Sequence, residues 1–164
     1  MRGVAANLGL GAVTAVLAAA EAAATRGGDA QLATMRAAAS YMMGRYRDAR
    51  NELAGPGFDS DRHAALWRGL IEAGQEDWKN AHGHLEQAQA VLARYPMEWQ
   101  ARVQLAQAEA ALGMNRLDLA DAALAHMPKN LPPREALAAE LLKARILAAS
   151  SRFHDAAPLL ATLE

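Results

Sequence analysis

The apolar positions of the chain recur at helical spacing around a short phrase that occurs four times. A small or polar turn residue is followed two positions later by an aromatic residue or leucine, then by alanine after three residues and leucine after four more. The large residue, the alanine and the leucine therefore stand at i, i+3 and i+7, which is one face of an α-helix. The copies occupy 44–53, 76–85, 115–124 and 151–160, and their alanines, Ala49, Ala81, Ala120 and Ala156, are separated by 32, 39 and 36 residues.

A second small residue lies twelve positions before each of these alanines. One helix is expected to end at each turn and another to begin there, and small side chains on both would let the two helices pack closely. The sequence thus predicts four helical hairpins, whose first helices carry Ala37, Gly69, Ala108 and Ala144.

Glycine and proline punctuate the chain between these segments. The breaks at Gly55-Pro56-Gly57 and at Pro96 end helices, and Asp59 or Ser60 is expected to cap the helix that contains Trp67. Pro158 is expected to distort the last helix. The full pattern predicts nine helices, at about 4–25, 30–43, 45–54, 61–74, 76–94, 97–113, 115–126, 133–149 and 152–163.

The arrangement of small and large residues over residues 30–164 resembles the tetratricopeptide repeat, a helical hairpin of about 34 residues. The spacings of 39 and 36 are longer than that period, and the closing proline of the family is matched only loosely, by Pro56, Pro96 and Pro128. The resemblance implies an all-α fold, a right-handed superhelical stack of antiparallel helical hairpins (an α-solenoid). It divides a single domain, 1–164, into an N-terminal helix, 1–29, and repeats at about 30–61, 62–100, 101–131 and 132–164.

The resemblance also implies a binding surface, because in this family the first helix of each hairpin lines a concave groove that receives a peptide or helix. A run of lysines and asparagines that clamps a C-terminal carboxylate in one subgroup is absent here, so a part-apolar segment is the expected ligand. The partner-binding residues expected from this register are Tyr41, His63, Leu66, Arg102, Glu109 and Arg145. The wider inward set adds Gln31, Thr34, Ala38, Leu70, Leu105, Ala138 and Leu141.

Composition supports an all-helical fold. Hydrophobic residues make up 52% of the chain and aromatic ones 5%, and most of the apolar content is alanine and leucine, which favour helix. We therefore expect at least about two-thirds of the residues in helix and no sheet.

Charge is nearly balanced, with 17 basic and 18 acidic residues and no block of one sign. This argues against a nucleic-acid partner and against a polybasic membrane surface. The preference for arginine over lysine is typical of a GC-rich bacterial genome.

The N-terminal apolar run up to Ala20 allows two interpretations, a helix of the array or a signal peptide with a cleavage region near 22–24. Asn7, Gly9, Gly11 and Thr14 dilute the run, which favours the array helix. Membrane insertion is not expected, since alanine and glycine are too weakly apolar. The compartment, bacterial cytoplasm or periplasm, stays open.

Candidate chemistry is sparse. The chain has no cysteine, and its serines lie at turns or helix ends and not in a nucleophile elbow. His82 and His84 point to different sides of a helix, and His82 with Glu86 would supply only two metal ligands. We therefore expect no catalytic site, metal or cofactor. Trp78 is expected in the core, whereas Trp67 and Trp99 stay open.

The sequence favours a protein-interaction scaffold that binds a peptide or helix of a partner. The alternative is a structural or regulatory repeat segment of a larger bacterial enzyme or envelope protein with its chemistry elsewhere; a helical-bundle enzyme is a third, less favoured interpretation. Neither end carries a polar capping helix, and the apolar stretch 156–163 has no helix after it to cover it. We therefore expect a segment of a longer array, or self-association through the terminal repeats.

Overall fold

The computed structural model describes residues 28–161, which form eight α-helices and a short 3-10 turn, Pro56–Phe58, with no strand among them. Helix makes up 77% of these residues, which confirms the all-α prediction for this part of the chain. The expected helix at 4–25 and the signal-peptide alternative lie outside the described residues. The helices are α1 (Gly28–Met42), α2 (Tyr46–Glu52), α3 (Arg62–Ala73), α4 (Trp78–Leu92), α5 (Met97–Gly113), α6 (Leu117–Ala125), α7 (Pro133–Ala149) and α8 (Phe153–Ala161).

Consecutive helices pair as hairpins, α1 with α2, α3 with α4, α5 with α6 and α7 with α8. The first helices of successive hairpins also contact one another, α1 with α3, α3 with α5 and α5 with α7. Each second helix touches the first helix of the next hairpin. The four hairpins are therefore packed in series, with α1, α3, α5 and α7 side by side.

The four turns inside the hairpins share one backbone conformation. The turn residue of each sequence phrase has a positive φ, between 58° and 73°, which closes a helix with a left-handed residue. The next amide donates a hydrogen bond to the carbonyl oxygen five residues earlier, over 2.8–2.9 Å. Only one of the four is glycine. The other three adopt a left-handed backbone conformation that is sterically unfavourable for residues with a Cβ. These turn residues are Gly44, Glu76, Asn115 and Ser151.

The small residues predicted at the helix–helix contacts are all buried. A Cβ built on Gly69 would lie 2.5 Å from Cγ of Leu85, so the leucine of the second helix occupies the space that the glycine leaves. Such close approach explains why larger residues are absent from these positions. The buried set comprises Ala37, Gly69, Ala108 and Ala144 on first helices, and Ala49, Ala81, Ala120 and Ala156 on second helices.

The largest rings form a cluster between first helices. The Trp67 and Trp99 ring centroids lie 5.0 Å apart, and that of Tyr41 lies 5.9 Å from Trp67. Trp67 and Trp99 are buried, whereas Trp78, the one that the sequence analysis assigned to the core, is only half-buried. Trp78 is less buried than the other two tryptophans because it is the first residue of a second helix, α4, at the edge of the hairpin.

One helix-end prediction needs correction. The cap of α3 is Asp61, not Asp59 or Ser60, since its Oδ1 accepts hydrogen bonds from the amides of His63 and Ala64. Helix α8 spans Phe153–Ala161 and includes Pro158, as predicted from the sequence.

Candidate functional site

A shallow groove runs along the exposed side of the first helices. One depression of about 240 Å³ adjoins another of about 420 Å³, and the two share Ala73, Gly74 and Glu109. We call the pair the first-helix groove. The smaller part is also lined by Tyr41, Leu70, Arg102, Leu105, Ala106 and Ala138, and the larger part by Glu76, Trp78, Leu112, Gly113 and Arg145.

Four of the six predicted partner-binding residues meet in this groove: Tyr41, Arg102, Glu109 and Arg145. Helix register brings them together, because α1, α5 and α7 each present one face to the same side of the array. Tyr41 lies at its inner end, with its ring packed among aromatic neighbours. Burial raises the pKa of the Tyr41 hydroxyl, so it is neutral and able to donate a hydrogen bond at neutral pH.

Arg102 is held on three sides. Its guanidinium carbon lies 4.9 Å from the Trp99 ring centroid, Nη2 lies 2.6 Å from Glu98 and Nε lies 3.4 Å from Glu135. The Glu135 side chain is only 6% exposed, so Arg102 supplies the positive charge that it needs. Arg102, predicted from the sequence as a partner-binding residue, is therefore held in place as part of the groove wall.

Glu109 and Arg145 form a looser pair. Their nearest charged atoms are 3.9 Å apart, and about half of each side chain is exposed, 48% and 57%. Such a pair contributes little to stability. Both charges can therefore turn toward a ligand without loss to the fold.

His63 and Leu66 lie outside the groove lining. His63 Nδ1 is 2.8 Å from the Tyr95 hydroxyl, so this side chain links α3 to the segment after α4. Burial, followed by the nearby Asp61 carboxylate, raises the pKa of Tyr95 to about 12. Leu66 is fully buried because α3 lies between α1 and α5, and its assignment to an exposed binding face is wrong.

Several residues that shape the groove were not predicted from the sequence. Gly74 and Gly113 each stand two positions before a left-handed turn residue, a recurrence that could have marked them. Glu98 stands four residues before Arg102 on α5, a spacing that could have marked their ion pair. Glu135 left no such signal, because its link to Arg102 depends on the packing of α5 against α7. Of the wider inward set, Thr34, Ala38 and Leu70 are buried, while Ala138 and Leu141 are exposed.

The described residues include no group of three or more histidines or acids that could hold a metal ion. His84 Nδ1 instead lies 2.7 Å from Glu72 and ties α4 to α3. Among the helices that the structure describes, none is long and apolar enough to cross a membrane.

No family model, curated protein or solved structure matches this chain.

Proposed function

We propose that this chain is a protein-interaction scaffold of tetratricopeptide-like hairpins whose first-helix groove binds a peptide or helix of a partner protein. The observation that carries the proposal is the groove itself, which is lined by four of the predicted residues and whose smaller part is mainly apolar. A right-handed superhelical course is part of the proposal. Its support is the serial contact of α1, α3, α5 and α7 and the repeated turn geometry.

The lining suits a partly apolar ligand. Leu105 and Ala138 offer an apolar floor to a partner side chain, and Tyr41 adds a ring next to it. Tyrosine and arginine are the residue types that most often carry binding energy at interfaces. A helix or extended segment with an apolar anchor is the ligand class that uses such a surface.

The charges suit a ligand that carries both signs. Arg102 is already engaged by Glu98 and Glu135, so it orders the wall more than it attracts an anion. Glu109 and Arg145 are exposed and loosely paired, so they can exchange their contact for ion pairs with a partner. The proposed ligand therefore has an apolar anchor flanked by an acidic and a basic side chain.

A structural or regulatory role within a larger bacterial enzyme or envelope protein is the second proposal. The observation in its favour is the exposure of two leucines, Leu137 and Leu141, on α7. Apolar side chains exposed together are typical of surfaces that another structure covers.

The test begins with peptides selected against the full chain from a displayed library of random linear peptides. Arginine at Ala138, which is exposed and lines the groove, should block the groove without harming the fold. Ala138→Arg should lower the affinity for the selected peptide by about tenfold or more, a loss typical of a blocked anchor site.

The matched control is Ala122→Arg, since Ala122 is an exposed alanine on α6, outside the groove. A second pair compares Arg145→Ala with Arg47→Ala, an exposed arginine on α2. Equal affinity for Ala138→Arg and wild type would overturn the groove as binding site. If Ala122→Arg loses affinity for the peptide instead, the binding site lies on the second helices, where Gln87 is exposed.

A further inference from the structure

The hairpins meet through one repeated contact. The large residue that begins a second helix lies against a small residue at the end of the next hairpin's first helix. A Cβ on Gly74 would lie 3.3 Å from Tyr46 Cζ, and one on Gly113 would lie 2.7 Å from the Trp78 indole. Gly74 and Gly113 both stand two residues before a left-handed turn residue, so they are equivalent positions.

The third junction has residues of the same types at the corresponding positions. Leu117 begins α6 and packs against the cluster that contains Leu142 and Ile146 of α7. The equivalent small residue of α7 is Ala149, two positions before Ser151. Each described first helix that follows another hairpin therefore ends in glycine or alanine at this position.

Phe153 is the fourth large residue of the series, and it is 65% exposed. Two leucines of α7 show the same contrast with their internal equivalents. Leu141, three residues before Ala144, is 46% exposed, whereas Leu66, three residues before Gly69, is 0% exposed. Leu137, seven residues before Ala144, is 54% exposed, whereas Ala101, seven residues before Ala108, is 0% exposed. Phe153 and Leu141 are thus more exposed than the residues at the same positions of the internal hairpins, whereas the position of Leu137 is exposed in α3 as well, at Arg62.

We propose that Leu137, Leu141 and Phe153 form a docking surface for a helical hairpin of a partner protein, whose first helix ends in glycine or alanine two residues before a left-handed turn residue. The surface continues the contact already made at the internal junctions, and that contact specifies the occupant. The phenyl ring needs a small residue beneath it, as Tyr46 and Trp78 have. None of the three residues lines the first-helix groove, so this is a second binding surface.

A second copy of this chain, docked head to tail, does not meet the requirement. Its first described helix has Met42 at the equivalent position, two residues before Gly44. Met42 is half-buried and packs against the core of the first two hairpins. Phe153 would meet a methionine side chain where the internal junctions have glycine or alanine, and overpacking of this kind is unfavourable.

The probe for this surface is a synthetic two-helix peptide that covers residues 97–127 of the chain, cross-linked between its helices and confirmed as helical by circular dichroism. It presents Gly113 in the required place. Binding to the full chain is measured by titration in solution. Phe153→Ala in the full chain, and Gly113→Leu in the peptide, should each weaken binding by about tenfold or more, as removal of an interface anchor does.

Two controls separate docking from folding and from the groove. Phe153→Ala should keep the thermal midpoint of wild type, since its side chain is exposed, and Arg145→Ala should keep the affinity for the hairpin peptide. The proposal is overturned if the peptide does not bind at millimolar concentration, or if both substitutions leave its affinity unchanged. It is also overturned if sedimentation shows self-association of the full chain that Phe153→Ala abolishes, since the occupant is then a second copy.

Discussion

The indole ring of Trp78 lies against the backbone of Gly113, so closely that a Cβ on the glycine would be 2.7 Å from three ring atoms. Trp78 begins α4 and Gly113 ends α5, so the contact joins two hairpins. Real Cβ atoms do not approach other atoms so closely, and the contacted atoms are Cγ, Cδ1 and Cδ2 of the indole, not the far end of a flexible side chain. Packing against the indole therefore requires glycine at position 113.

Gly113→Ala should destabilise the protein although alanine is the better helix former. Helix propensity favours alanine by about 1 kcal/mol, and overpacking against the indole opposes it by about 1–3 kcal/mol. Chemical unfolding with tryptophan fluorescence measures the difference. The control is Gly83→Ala, since Gly83 lies inside α4 with no atom within 4 Å of its Cβ position. That variant should be more stable than wild type, and the same sign for both would contradict the assigned contact.

Ala81→Leu should destabilise the second hairpin, because Ala81 is 0% exposed in the hairpin that also packs Leu85 against Gly69. We expect a cost of about 1–3 kcal/mol, seen as a lower thermal midpoint. Ala120→Leu should act alike in the third hairpin, since Ala120 is also fully buried. Ala90→Leu, at an exposed position of α4, is the control. An unchanged midpoint in Ala81→Leu would show that the hairpin register is different.

Arg102→Ala should cost stability, contrary to what exposure alone would predict. It removes the guanidinium from the Trp99 ring and leaves the buried Glu135 carboxylate without its Arg102 contact. The expected loss is about 1–3 kcal/mol, the range for an unsatisfied buried polar group. Arg145→Ala, in the exposed pair with Glu109, should change stability by less than about 0.5 kcal/mol.

A double-mutant cycle checks the cause. Glu135→Gln removes the buried charge, so Arg102→Ala should cost less in that background than in wild type. Equal costs in both backgrounds would assign the effect of Arg102→Ala to its contact with Trp99 alone.

Alkaline unfolding should report the buried phenol of Tyr95. Its pKa is raised from 10.0 to about 12, first by burial and then by Asp61, so ionisation favours the unfolded chain. The stabilisation is complete below about pH 10 and is lost as the pH rises through about 12, a change of roughly 2–3 kcal/mol. Tyr95→Phe lacks this group, so its unfolding free energy should fall less steeply over that interval than that of wild type. Parallel profiles for the two proteins would contradict the assignment.

The sequence by itself determined the helices of the described region and the places where they turn. Alanine content and the i, i+3, i+7 spacing are local properties, and the four turn residues, at positions 44, 76, 115 and 151, could be identified because each phrase repeats. The small residues at the helix contacts followed from the same repetition, since close approach requires small side chains whatever the neighbours are.

Only the tertiary structure decided which faces are open. Leu66 and Leu141 hold the same register position, yet one is buried and the other exposed, because among the described helices α3 has a first helix on both sides and α7 has one, α5. Likewise, Arg102 is a wall residue because Glu135, 33 positions away, reaches it from another helix. Burial and charge pairing depend on contacts between segments that are distant in the sequence. A local sequence pattern does not show which segments make those contacts.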